Sequence, residues 1–179
     1  MTGFYTEKEL SELGLKTYGK NVLLSRQCSL YAPEKISLGS NLRIDDFCLF
    51  SGDITIGSYV HISAYSALYG GCGIEMEDYT GLSPRCTIFS ASDDFSGDYL
   101  IGPMVDKSKT NITGGKVLIK KYSQVGAGSM LLPRVIINEG VAVGAMSLVN
   151  KNLEEWGVYI GIPVRRIKER NKGLLKFIG

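Results

Sequence analysis

Large apolar residues recur every six positions along most of this chain. Leu38, Ile44, Phe50, Ile56, Ile62 and Leu68 form a first run. Two extra residues near GGCG (70–73) shift the frame, which resumes at Met76, Leu82 and Ile88. A second run is Ile119, Val125, Leu131, Ile137, Val143 and Val149. A helix repeats about every 3.6 residues and a strand about every 2, so neither explains this period. A solenoid does: each repeat is a short strand and a turn, and each coil pairs its backbone with the next.

A second slot follows each large residue by four positions. It holds a small or β-branched side chain, as in Val60, Ser66, Thr80, Ser123, Ser129, Val135, Val141 and Ser147. Extending the frame back to Leu24 puts Cys28, Cys48, Cys72 and Cys86 in this slot, which fails at Glu34 and Leu42. The cysteines therefore read as small, inward packing residues rather than nucleophiles. None forms a CxxC pair, so no zinc or dithiol centre is expected.

Of the 179 residues, 44% are hydrophobic and 21% charged, which suits one domain with a sizeable core. A net charge of +2 is too small to imply a nucleic-acid binder by itself, and no nucleic-acid partner is expected. No apolar run reaches the length of a signal peptide core or a membrane span, so the expected protein is cytoplasmic and not membrane-inserted. Thr6 and Glu9 have capping-box spacing and open a short helix through Leu13. The expected layout is an N-terminal helical cap over 1–20, a β-helix over 21–163 and a C-terminal helix over 164–179. Ile167, Leu174 and Leu175 are the tail's apolar anchors. The period lapses between Ile88 and Ile119, so a long loop, 90–116, leaves the scaffold and docks through Phe95, Tyr99, Leu100 and Ile101.

LGSNLR, IGSYVH, VGAGSM and VGAMSL resemble the hexapeptide repeat of the left-handed β-helix acyltransferases. SASDDFSGDYLIGPM, TGGKVLI and GIPVRRIKER are similar to the sugar O-acetyltransferases of surface polysaccharide pathways. The resemblance implies an all-β solenoid, a left-handed parallel β-helix, assembled as a homotrimer with sites between subunits. It implies acetyl-CoA as donor, no metal, and a sugar or nucleotide-sugar hydroxyl as acceptor. An alternative is N-acetylation of a nucleotide-linked amino sugar. A gamma-class carbonic anhydrase needs three histidine ligands per site and this chain has one, while a non-catalytic assembly subunit would bind no coenzyme A.

Acetyl transfer needs a base, donors for an oxyanion and a hold on the thioester. His61, the only histidine, is the expected base. Val60 and Ile62 face inward, so His61 faces out. Counting one coil each way stacks Arg43, His61 and Gly81; Arg43 would oppose protonation of the ring and Gly81 would leave room for a substrate. The relatives carry a histidine in the loop where this chain has Asp93 and Asp94, either of which is a candidate to orient an imidazole across a subunit boundary. Gly126-Ala127 and Gly144-Ala145 lie one coil apart, and the resemblance makes them the pantetheine track. It also sets Pro163, Arg165, Arg166 and Lys168 beside the nucleotide end of coenzyme A.

Overall fold

The large residues of the repeat, from Leu38 to Val149, enter one continuous core, each no more than 4% exposed. The computed structural model describes residues 3–178. The ends of the expected cap and tail, residues 1, 2 and 179, lie outside the described residues. The chain winds into a parallel β-solenoid of about seven turns with three faces. Face A stacks Thr17–Tyr18, Ile36–Leu38, the end of Leu49–Ile56, the end of Ala67–Met76, Val117–Ile119 and Ile136–Ile137. Face B stacks Val22–Leu24, Leu42–Ile44, His61–Ile62, Gly81–Leu82, Gln124–Val125, Ala142–Val143 and Gly157–Ile160. Face C stacks Ser29–Tyr31, the starts of Leu49–Ile56 and Ala67–Met76, Thr87–Phe89, Met130–Leu131 and Leu148–Val149.

The small slot is buried too, and its hydroxyls find backbone carbonyls. Ser123 Oγ donates to Asn138 O at 2.9 Å and Ser129 Oγ to Gly144 O at 3.0 Å. Cysteine does the same: Cys48 Sγ donates to Ser63 O and Cys86 Sγ to Gly126 O, both at 3.3 Å. Serine and cysteine alternate here because each is small and carries one donor. Cys72 departs from the expectation and is exposed. It belongs to the GGCG insertion itself, and Ile74 fills the slot it vacates.

Many corner residues have positive φ without being glycine. Asn41, Tyr59, Tyr79, Tyr122 and Trp156 line the corner between faces A and B; Phe47, Tyr65, Arg85 and Met146 line the one between B and C. Left-handed backbone costs about 1 kcal/mol or more per residue, and ring stacking offsets it. Tyr59 stacks on Tyr79 at 4.7 Å and Phe47 on Tyr65 at 4.9 Å. Gly140 interrupts the first ladder because a Cβ there would lie 2.4 Å from the Trp156 indole, which covers it.

The helix Glu7–Glu12 forms as the capping box predicts, with Thr6 accepting from Glu9 N. Arg26 pairs with Glu9 and ties this cap to the first coil. At the other end the expected helix over 164–179 is absent. Arg165–Glu169 is a strand, antiparallel to Gly157–Ile160, and only Gly173–Phe177 forms a 3-10 turn. The last coil offers a row of unpaired backbone groups, and a strand satisfies them where a helix would not. Ile167 and Leu175 are consequently exposed rather than anchored. Arg170 locks the turn by donating to Tyr122 O at 2.6 Å and Gly140 O at 3.0 Å.

Candidate active site

Face B brings Arg43, His61 and Gly81 into direct register, as the period predicts. Their contacts differ from the expectation. Arg43 Nε donates to Asp45 Oδ1 at 2.7 Å, and Asp45 Oδ2 lies 2.8 Å from His61 Nε2. The charged group that the imidazole meets is thus a carboxylate, not the guanidinium. Burial pushes the Asp45 carboxyl up, but hydrogen bonds from Arg43 and His61 outweigh it and hold it below its ordinary value. An ionised Asp45 accepts from Nε2–H and leaves Nδ1 as the free acceptor of the ring. The space over Gly81 is not vacant: Gln124 Oε1 sits 2.6 Å from where a Gly81 Cβ would be. Asp45 and Gln124 both escaped the sequence reading, the first because it lies off the row of His61, the second because, though in register with Gly81, it follows the long loop where the six-residue count lapses. Asp45 is a diagonal neighbour, and diagonal pairs are within reach of long side chains.

One step toward the B/C corner lies a second row. Asp45 N donates to Ile62 O, Ser63 N to Leu82 O, Ser83 N to Val125 O, Gly126 N to Val143 O and Gly144 N to Tyr159 O. Asp45, Ser63, Ser83, Gly126 and Gly144 therefore follow one another along the solenoid axis. Gly126-Ala127 and Gly144-Ala145 do stack on adjacent coils, with Met146 N donating to Ala127 O at 2.8 Å. A Cβ on Gly126 would lie 2.5 Å from Ala145 N, so stacking alone demands glycine there. The same glycines leave bare backbone at the surface. Ser83 carries the first hydroxyl beyond them, and its Oγ has no hydrogen-bond partner among the described residues. Nothing in its hexapeptide, GLSPRC, distinguishes it from other small corner residues.

The expected phosphate partners divide. Arg165 pairs with Ile160 in the closing sheet, at the end of the glycine row. Lys168 lies opposite Val158, one row away. Both are exposed, as is Pro163. Arg166 is engaged by Glu169 at 2.7 Å and Glu154 at 3.4 Å.

Asp93 and Asp94 do not approach His61 within the chain. They stand on the loop, whose base is the antiparallel pair Ala91–Asp93 and Ile112–Gly114 at the C/A corner. Asp94 accepts from Ser96 N and from Asn111 Nδ2, both at 2.7 Å, and so holds the loop's own turn. These bonds keep its carboxyl below the ordinary value. Asp93 instead lines an apolar cleft of about 550 Å³, among Tyr69, Phe89, Phe95, Met130 and Leu132. Its carboxylate has no hydrogen-bond partner among the described residues. Those residues also hold no cluster fit for a metal ion and no helix long and apolar enough to cross a membrane.

No protein-family model matches the chain. It is 43% identical over 176 residues to a dTDP-4-amino-4,6-dideoxy-D-glucose acyltransferase of Escherichia coli, covering 97% of this chain and 92% of the relative. AntD, an N-acyltransferase from Bacillus cereus solved in complex with dTDP and 3-hydroxybutyryl-CoA, superposes with a TM-score of 0.95. It has 50% identity, over 99% of this chain and 95% of AntD. A maltose O-acetyltransferase from Clostridium difficile shares the fold at a TM-score of 0.61 and 22% identity, covering 93% of this chain and 77% of that one. With a repeat, a coil register and full-length relatives in agreement, the chain belongs to the left-handed β-helix, hexapeptide-repeat acyltransferases that act on sugars.

Proposed function

We propose that this protein transfers an acyl group from coenzyme A to the amino group of a dTDP-linked amino sugar. The 43% identity to a dTDP-amino sugar acyltransferase along nearly the whole chain carries this reading. It displaces the O-acetyl reading drawn from the loop and tail motifs, in favour of the N-acyl alternative. The unpartnered Asp93 carboxylate supports it, because an anion in an apolar cleft suits an amine better than a phosphate or a neutral hydroxyl.

The bare glycine row offers backbone to an elongated pantetheine, with Arg165 and Lys168 at its far end for phosphates. Ser83 then meets the thioester and donates its hydroxyl hydrogen to the developing oxyanion. Asp93 holds the sugar amine, and His61 Nδ1, oriented through Asp45, takes the proton the nitrogen sheds. The carbon–nitrogen bond forms, the carbon–sulfur bond breaks, and the thiolate leaves. Since His61 and Asp93 lie on different faces of one chain, the complete site joins face B of one copy to the loop of another in a homotrimer.

Purified protein should be given acyl-CoA with dTDP-4-amino-4,6-dideoxyglucose or with its 4-hydroxy counterpart, and free thiol release followed. Turnover is expected with the amine; equal or faster turnover of the hydroxy sugar would return the reading to O-acylation.

A further inference from the structure

We infer that Cys28 and Cys48 form an oxidisable pair, closing a disulfide between the first two coils on exposure to hydrogen peroxide. They open the column Cys28, Cys48, Ser66, Cys86, Ser129, Ser147, one member per coil. Ser29 N donates to Cys48 O at 2.9 Å and fixes the two cysteines side by side. In-register neighbours stand about 4.8 Å apart across a sheet, inside the roughly 4.4–6.8 Å Cα separation of disulfides. No other two cysteines are so placed: Ser66 separates Cys48 from Cys86, and Cys72 lies at another corner.

Both thiol hydrogens go to backbone carbonyls, Cys28 Sγ donating to Asp45 O at 3.2 Å and Cys48 Sγ to Ser63 O at 3.3 Å. The neighbouring Cys48 sulfur and burial push the Cys28 thiol up, while the neighbouring Cys28 sulfur holds Cys48 below its ordinary value. Cys48 is 1% exposed, whereas Cys28 is half-buried and opens a route for a small oxidant. One sulfur is oxidised to a sulfenic acid as the peroxide O–O bond breaks and a first water leaves. The other sulfur then forms the S–S bond, the S–O bond breaks, and the second oxygen leaves as water. Two thiols lose two electrons and two protons, and the peroxide takes up both. The new bond would replace the Cys28 Sγ–H donation to Asp45 O at 3.2 Å, directly behind the carboxylate that holds His61.

The test is peroxide treatment of the full-length Cys72→Ser protein, then tryptic mass spectrometry without reductant. Expected is one species joining peptide 27–35 to peptide 44–85, lighter than their sum by two hydrogens, with a raised melting temperature that reductant reverses. The same peptides recovered separately, a sulfinic acid at Cys28, or a link between two chains would overturn the inference. If Cys72→Ser folds poorly, the wild-type chain with Cys72 alkylated beforehand gives the same readout.

Discussion

His61 Nε2 lies 2.8 Å from Asp45 Oδ2, one coil away and sixteen residues earlier in the chain. With Asp45 ionised, the contact selects the Nε2–H tautomer and leaves Nδ1 without a partner among the described residues. If Nδ1 is the base, His61→Ala lowers kcat about 10²-fold with little change in KM. Asp45→Asn gives a smaller loss and changes the pH–rate profile, because an amide no longer selects the tautomer. Normal turnover by His61→Ala would mean that the amine needs no protein base.

Acid should loosen the N-terminal end first. Glu9 is held at about 2, below 4.5, mainly by its hydrogen bond from Arg26. Its stabilising effect is therefore complete above pH 4.5 and disappears as pH falls toward 2. Asp45, also lowered, loses its contribution as pH drops below 3.8. Thermal melts across this range should show a flatter acid slope for Glu9→Gln than for the wild type. An unchanged slope would show that the Glu9–Arg26 pair does not reach the cooperative unit.

The glycine row can be tested apart from any ligand. Gly126→Ala puts a carbon 2.5 Å from the backbone nitrogen of Ala145, so two coils must separate. The expected cost is about 1–3 kcal/mol, seen as a lower denaturation midpoint. Unchanged stability would mean that the coils spread freely there and that glycine serves the ligand alone.

Native thiol labelling should proceed in a set order. Cys72 is exposed and reacts first. Cys86, buried and pushed up to about 11 by desolvation, stays unlabelled at neutral pH until the chain unfolds. Early labelling of Cys86 by iodoacetamide would contradict the packing of the small slot.

Sites built from two copies should complement. His61→Ala and Asp93→Ala are each expected to be slow, whereas a mixture refolded together recovers part of the activity, because some sites receive both intact residues. Two slow variants that stay slow when mixed would place both residues in one copy's site or in none.

The core was legible in the sequence because one rule, an inward residue every six, is obeyed from Leu38 to Val149 by burial alone. The same counting set His61 between Arg43 and Gly81. It missed Asp45 because that role comes from side-chain reach across rows, which a period does not encode, and Gln124 because the six-residue count lapses between Gly81 and its register partner on the next coil. It misread Cys72 by carrying the frame into an insertion that breaks it. The tail failed for a different reason. RRIKER has the composition of a solvated helix, but the exposed edge of Gly157–Ile160 decides its conformation, and that edge is a tertiary fact.

Both departures from the period leave at the same corner. The GGCG insertion follows Tyr69 and the long loop follows Phe89, residues that pair across adjacent coils, and the chain re-enters at Ile74 and Val117, which also pair. Cys72 N donates to Ser90 Oγ at 2.8 Å, so the lower insertion forms a seat for the upper. Length added at that corner leaves every later coil in frame. The segment bearing Asp93 can thus change in length or sequence while the row along Gly126 and Gly144 stays as it is.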